Sequence, residues 1–196
     1  MKAVLLDVPE CLLEQRRLSG ADRLDEVWEG VLHMVPPPSI EHQDIEGRIE
    51  TWLRTYWSPL HPSHRVFHQV ALSASNSWTN DYRVPDIVLL DEQTIANLRD
   101  THCQGPCTVA LEVRSPNDEL FEKMEFYARL QVSELWFVDR DSKKLEVYAL
   151  ADGGYRLFEA DSDGWISSRS VAIQMRSYDG GLCFQIIEQP DSRRLL

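Results

Sequence analysis

Apolar and polar positions change period several times along the chain, and each change marks an element. Residues 8–18 allow a short helix. Leu24, Val27 and Trp28, then Val31, Met34 and Val35, flank Glu29-Gly30. That pattern predicts a β-hairpin with a glycine turn, closed by Pro36-Pro37-Pro38. Ser39 is an N-cap for a helix over about 40–57, in which Ile45, Ile49, Trp52, Leu53 and Tyr56 recur at helical spacing. His42 and Glu46 fall beside that apolar stripe, and Pro59 and Pro62 end the helix.

The period then shortens to that of strands. RVFHQVALS (65–73) and DYRVPDIVLL (81–90) read as two strands joined by a polar loop over 74–80. Pro85 has no amide to donate, so it belongs at a strand start or edge. DEQTIANLRD reads as a short helix or loop and HCQGPC as a breaker. CTVALEVRS alternates strictly: Val109, Leu111 and Val113 point one way, Ala110, Glu112 and Arg114 the other. Asn117 is placed to cap the helix DELFEKMEFYARL. ELWFVD has the continuous apolar character of a strand buried on both faces. KKLEVYALADGGYRLFEA predicts a hairpin turning at Asp152-Gly153-Gly154, and 165–188 further strand and loop. With no repeat, low-complexity tract or linker, the expectation is one α+β domain over 1–196: a mixed sheet flanked by helices, with additional hairpins.

Composition narrows the class. The chain has 196 residues, 43% hydrophobic and 27% charged, which suits a soluble globular domain with a real core. No stretch approaches the roughly 20 apolar residues that cross a bilayer. MKAVLLDVPE is a poor signal sequence. Cys11, Cys103, Cys107 and Cys183 follow no disulfide scaffold and read as reduced thiols of a cytoplasmic protein. The net charge of −12 argues against simple nucleic-acid binding, which leaves a basic footprint. It leaves room for an enzyme whose acids hold a cation.

Candidate chemistry centres on 84–139. Asp86 and Glu112 each stand in an otherwise apolar strand, where an unpaired carboxylate is costly. Singly, each has a plain reading: Asp86 as a turn cap, Glu112 as half of a solvated pair with Arg114. Together, brought to one end of a sheet, they offer oxygen ligands suited to magnesium or manganese. On the following helix, Asp118, Glu122, Glu125 and Arg129 gather on a polar side while Lys123 turns inward beside Tyr127 and Leu130. An inward lysine serves a carboxylate or a phosphate, or is a snorkelling stem. Arg114 contacts phosphate or neutralises Glu112. His42 and Glu46 extend the site from the first long helix, or His42 is structural. His61, His64 and His68 straddle Pro62, which argues against a shared ligand face. His102, Cys103 and Cys107 lack the second cysteine pair of a zinc site. No phosphate-binding glycine loop or nucleophile elbow is present.

VPDIVLL, VALEVRSPND and EKMEFYARLQVSELWFVDRDSKKLEVY together resemble the Uma-two family of restriction endonuclease-like domains, within the PD-(D/E)xK nuclease superfamily. DEVWEGVLHMVPPPSIEHQDIEGRIETWL fits the same pattern, and the resemblance covers about 20–180. It implies a mixed sheet flanked by helices and metal-dependent hydrolysis of DNA phosphodiester bonds. Asp86 and Glu112 match the metal-binding pair. Arg114 stands where the wider superfamily has its lysine, and Lys123 on the next helix takes that role. Two features depart from the family: the link from Glu112 to Lys123 is short, and Glu119 stands where an aspartate is expected. The rival expectation is a nuclease-like fold kept as an interaction or dimerisation module. The apolar hairpins at 24–35 and 144–158 fit a homodimer or a cover for the sheet.

Overall fold

The segment Val109–Arg114 divides its side chains between two cores, and the molecule is layered around it. Val109, Leu111 and Val113 join one apolar cluster, and Ala110 joins the other. The computed structural model describes residues 8–116 and 119–196. In chain order the helices are α1 (Glu10–Ser19), α2 (Ile40–Trp52) and α3 (Leu120–Arg129). The strands are β1 (Glu26–Trp28), β2 (Val31–His33), β3 (Arg65–His68), β4 (Ala71–Ser73), β5 (Ile87–Leu90), β6 (His102–Gln104) and β7 (Val109–Arg114). They continue as β8 (Glu134–Asp139), β9 (Leu145–Ala151), β10 (Gly154–Leu157), β11 (Ile166–Ser167), β12 (Ile173–Tyr178), β13 (Gly181–Ile186) and β14 (Gln189–Leu195).

The central sheet runs β10-β9-β8-β7-β5-β3 and is mixed: β7 and β8 are parallel, the other neighbours antiparallel. The crossover from β7 to β8 carries α3, as parallel neighbours require. On one face Ile45, Ile49 and Trp52 of α2 meet Trp136, Val138 and Val147, together with Ile173, Met175 and Phe184 from the C-terminal sheet β11-β12-β13-β14. Trp52 Nε1 donates to the Ser192 carbonyl at 3.0 Å, which locks that sheet to α2. On the other face Phe126 and Tyr127 of α3, with Leu130 at its C-cap, cover Ala110, Leu135 and Phe137. The segment 165–188 therefore builds core. Among the described residues no helix is long and apolar enough to cross a membrane.

The expected turns are present for the expected reasons. Asp152 and Gly153 take φ of 52° and 81°, and Glu29 and Gly30 take 51° and 87°. These pairs of positive φ belong to the tight turns whose twist matches a hairpin. Ser39 accepts from the His42 amide at 3.2 Å, capping α2.

Three boundaries differ from expectation. The helix predicted over 40–57 is α-helical only to Trp52 and passes into a π-helical turn, Leu53–Trp57. Leu53 and Trp57 are both fully buried there. The strand predicted over 65–73 breaks at Gln69, whose φ of 50° no extended strand allows. Beyond the break, β4 pairs in parallel with β6, so HCQGPC supplies a strand where a breaker was expected. The strand predicted over 81–90 begins only at Ile87, after Pro85. Arg83 instead bridges to Leu72, and Tyr82 to Val27. The Asn117 cap, Asp118 of the polar helix side and the leader reading of residues 1–7 lie outside the described residues.

Candidate active site

Asp86 sits one residue before β5. Ile87 pairs with Leu111 in the antiparallel register, which sets Asp86 opposite Glu112. Asp86 Oδ2 accepts from the Val113 amide at 2.6 Å, so the strand pairing itself orients this carboxylate. Asp86 Oδ1 faces His42 Nε2 at 3.1 Å, and His42 Nδ1 lies 3.4 Å from Ser115 Oγ. Burial alone pulls the His42 imidazole down. The Asp86 hydrogen bond and the charges of Asp86, Glu46 and Glu112 outweigh it and leave the ring above its ordinary value.

Glu46 lies one helical turn beyond His42. One ligand atom from each of His42, Glu46 and Asp86 falls within 4.8 Å of the others. Glu46 is 1% exposed, and its Oε1 has no hydrogen-bond partner. His68 Nδ1 lies 3.2 Å from that oxygen but off hydrogen-bonding direction. Burial, then the Asp86 charge, push the Glu46 carboxyl up to about 8.

Glu112 anchors the other half. Tyr127 Oη donates to its Oε1 at 2.6 Å, and Lys123 Nζ lies 3.1 and 3.3 Å from its two oxygens. Burial raises the Glu112 carboxyl above the ordinary range; Lys123 offsets part of that, and Asp86 and Glu26 add to it. Lys123 and Tyr127 lie four apart on the inner face of α3, as the helical spacing requires, and both are buried. Lys123 Nζ also donates to Glu26 Oε1 at 2.9 Å. Glu26 was not singled out from the sequence; in RLDEVWEG it is one of several acids beside a turn.

Arg114 does not neutralise Glu112: it pairs with Asp139 at 3.0 Å, its partner in the parallel β7–β8 register. Lys123 takes that place. His61 and His64 stack with ring centroids 4.9 Å apart, away from His68, which contacts Glu46 and Glu50 at 3.2 Å each. His102 stacks on Trp78, and Cys103 and Cys107 are buried free thiols.

The residues present fit a divalent cation. Two carboxylates and an imidazole converge; the carboxylate oxygens suit magnesium or manganese, and the imidazole shifts the balance toward the transition metal. One of those carboxylates, Glu46, is buried, and a cation would offset the cost of holding its charge there. Glu112 and Glu26 both bond Lys123, and the Asp86 charge acts on Glu46 and Glu112 alike.

The solved structure of "a putative nuclease belonging to DUF820" from Anabaena variabilis ATCC 29413 matches with a TM-score of 0.59 at 17% identity. The match covers 74% of this chain and 82% of that one, and what it establishes is a shared nuclease-like fold. No curated protein matches. The family model of Uma2, described as "Putative restriction endonuclease", matches residues 13–178. With most of its length matched, this chain belongs to the Uma2 family.

Proposed function

We propose that the chain is a metal-dependent endonuclease that hydrolyses DNA phosphodiester bonds. The observation that carries this is the buried Glu46 carboxylate grouped with Asp86 and His42, beside an ordered Glu112–Lys123–Tyr127 set. Asp86 and Glu112 would hold magnesium or manganese, with Glu46 and His42 completing the donor set. When bound, the cation supplies Lewis acidity and positive charge against the scissile phosphate. Lys123 holds its ammonium where negative charge develops or where an attacking water is oriented. Tyr127 fixes the Glu112 carboxylate in that arrangement.

Three basic side chains gather at this end of the sheet, each paired with an acid that a polyanionic substrate would have to displace: Arg114 with Asp139, Arg140 with Asp141 and Lys143 with Glu41. Arg140 in the β8–β9 turn reaches Ser39 at 3.5 Å, and Lys143 pairs with Glu41, both at the start of the helix that carries His42. Arg114 lies at the same end of the sheet, its backbone bonded to the Arg140 amide.

The test incubates purified protein with supercoiled plasmid and with single-stranded DNA, in magnesium, manganese or chelator, beside Asp86→Ala. Cleavage that requires the metal and is absent from the variant is the expected result. Equal cleavage by the variant would contradict the site. Neither cleavage nor metal binding would assign the fold to an interaction module.

A further inference from the structure

Glu26 opens β1 and is 2% exposed. Its carboxylate is fully used. Oε1 accepts from Lys123 Nζ at 2.9 Å and from the Val84 amide at 2.8 Å, and Oε2 accepts from Trp28 Nε1 at 2.7 Å. The hairpin does not need this acid to stay in place. Its backbone is fastened by the Tyr82 amide on the Val27 carbonyl, by Arg83 Nη1 on the same carbonyl, and by the Gly30 amide on the Asn80 carbonyl. A buried apolar side chain in its place would avoid the desolvation of a charge.

The acid matters at its far end. Lys123 hangs on a long flexible stem, and Glu112 alone meets it almost evenly with two oxygens, at 3.1 and 3.3 Å. Such a contact fixes distance better than direction. A second carboxylate from a different element fixes direction as well. The same oxygen of Glu26 also holds the Val84 amide, two residues before Asp86. One atom thus ties the lysine's helix to the segment that leads into the Asp86 strand.

We infer that Glu26 is a positioning residue: it holds the Lys123 ammonium in register with Asp86 and Glu112. This rests on the nuclease reading above. Removing it should cost turnover without costing substrate or metal binding, because Glu26 lies behind the lysine and outside the donor cluster.

The experiment compares wild type, Glu26→Gln, Lys123→Ala and the double variant in plasmid cleavage. An exposed-acid control, Glu29→Gln, accompanies them. Glu26→Gln should lower kcat about 10- to 100-fold with KM and manganese affinity unchanged. Because it acts through Lys123, it should cost nothing further in the Lys123→Ala background. Nitrogen-15 spectra of the lysine ammonium groups give a readout independent of cleavage. A slowly exchanging signal, assigned by its loss in Lys123→Ala, should vanish in Glu26→Gln and persist in Glu29→Gln. Additive losses of kcat, or a signal that survives Glu26→Gln, would overturn the inference. Should the glutamine variant fail to fold, Glu26→Asp keeps the charge and shortens the reach, and wild-type turnover there would overturn it equally. A wild type that cleaves nothing contradicts the nuclease reading, and the ammonium signal still decides whether Glu26 positions Lys123.

Discussion

Glu134 and Glu46 are both 1% exposed carboxylates, and their surroundings are opposite. Glu134 Oε1 accepts from the amides of Arg169 and Ser170 at 2.7 and 2.8 Å. Its Oε2 accepts from Trp136 Nε1 and Ser168 Oγ at 2.9 and 2.8 Å. Four neutral donors balance that acid, which ties the C-terminal segment to β8. Glu46 instead is grouped with Asp86 and His42, and its Oε1 accepts no hydrogen bond, with His68 Nδ1 beside it at 3.2 Å. Burial without donors costs several kcal/mol for a charged group, about the stability margin of a small domain. One acid is balanced by neutral donors; the other lies among titratable groups, where a cation would balance it. Burial of an acid, by itself, therefore does not mark a site; the groups converging on it do.

The largest expected effect breaks the balanced member. Glu134→Ala takes the acceptor from two buried donors, Trp136 Nε1 and Ser168 Oγ, and from the part-buried Arg169 amide, at about 1–3 kcal/mol for each that water does not reach, while the Ser170 amide keeps Ser168 Oγ. Chemical denaturation should show a loss of roughly 3 kcal/mol or more, with the response to metal unchanged. Glu112→Ala should cost about 3 kcal/mol, because it strips a buried lysine of one partner, and unlike Glu134→Ala it should also end cleavage.

Glu46→Gln should have the opposite sign. The folded Glu46 carboxyl titrates near 8 against an ordinary 4.5. Between those values the folded chain keeps a proton that the unfolded chain has released, so stability falls as pH rises through that window. The variant removes this slope. Without metal it should gain on the order of 1–3 kcal/mol at the alkaline end and almost nothing near pH 4.5. A parallel pair of stability-against-pH curves for wild type and variant would erase the contrast with Glu134. Tyr127→Phe is the smallest change: one hydrogen bond to Glu112 lost with the ring kept, about 1 kcal/mol in a denaturant midpoint.

What was legible in the sequence is what neighbours in the chain decide. The alternation in VALEVRS placed Glu112 opposite to Val113, the 3.6 period placed Lys123 and Tyr127 inward, and Asp152-Gly153 gave its turn. What was not legible depends on distant pairing. Glu26 meets a lysine 97 positions away, and no local pattern distinguishes it from Asp25 or Glu29. Arg114 looks like the partner of Glu112 until the β7–β8 register sets it against Asp139. Glu134 was not singled out in ELWFVD, read as apolar throughout, because its donors come mostly from 168–170. Strand β6 was hidden since His102–Gln104 carries no alternation of its own and exists by pairing with β4.

The most direct test is thermal melting of wild type, Glu46→Gln and Glu134→Gln at about pH 8, with and without manganese. A manganese-dependent rise in Tm in wild type, retained in Glu134→Gln and lost in Glu46→Gln, is the predicted result. No rise in wild type, or an equal rise in Glu46→Gln, would contradict a cation site at His42, Glu46 and Asp86.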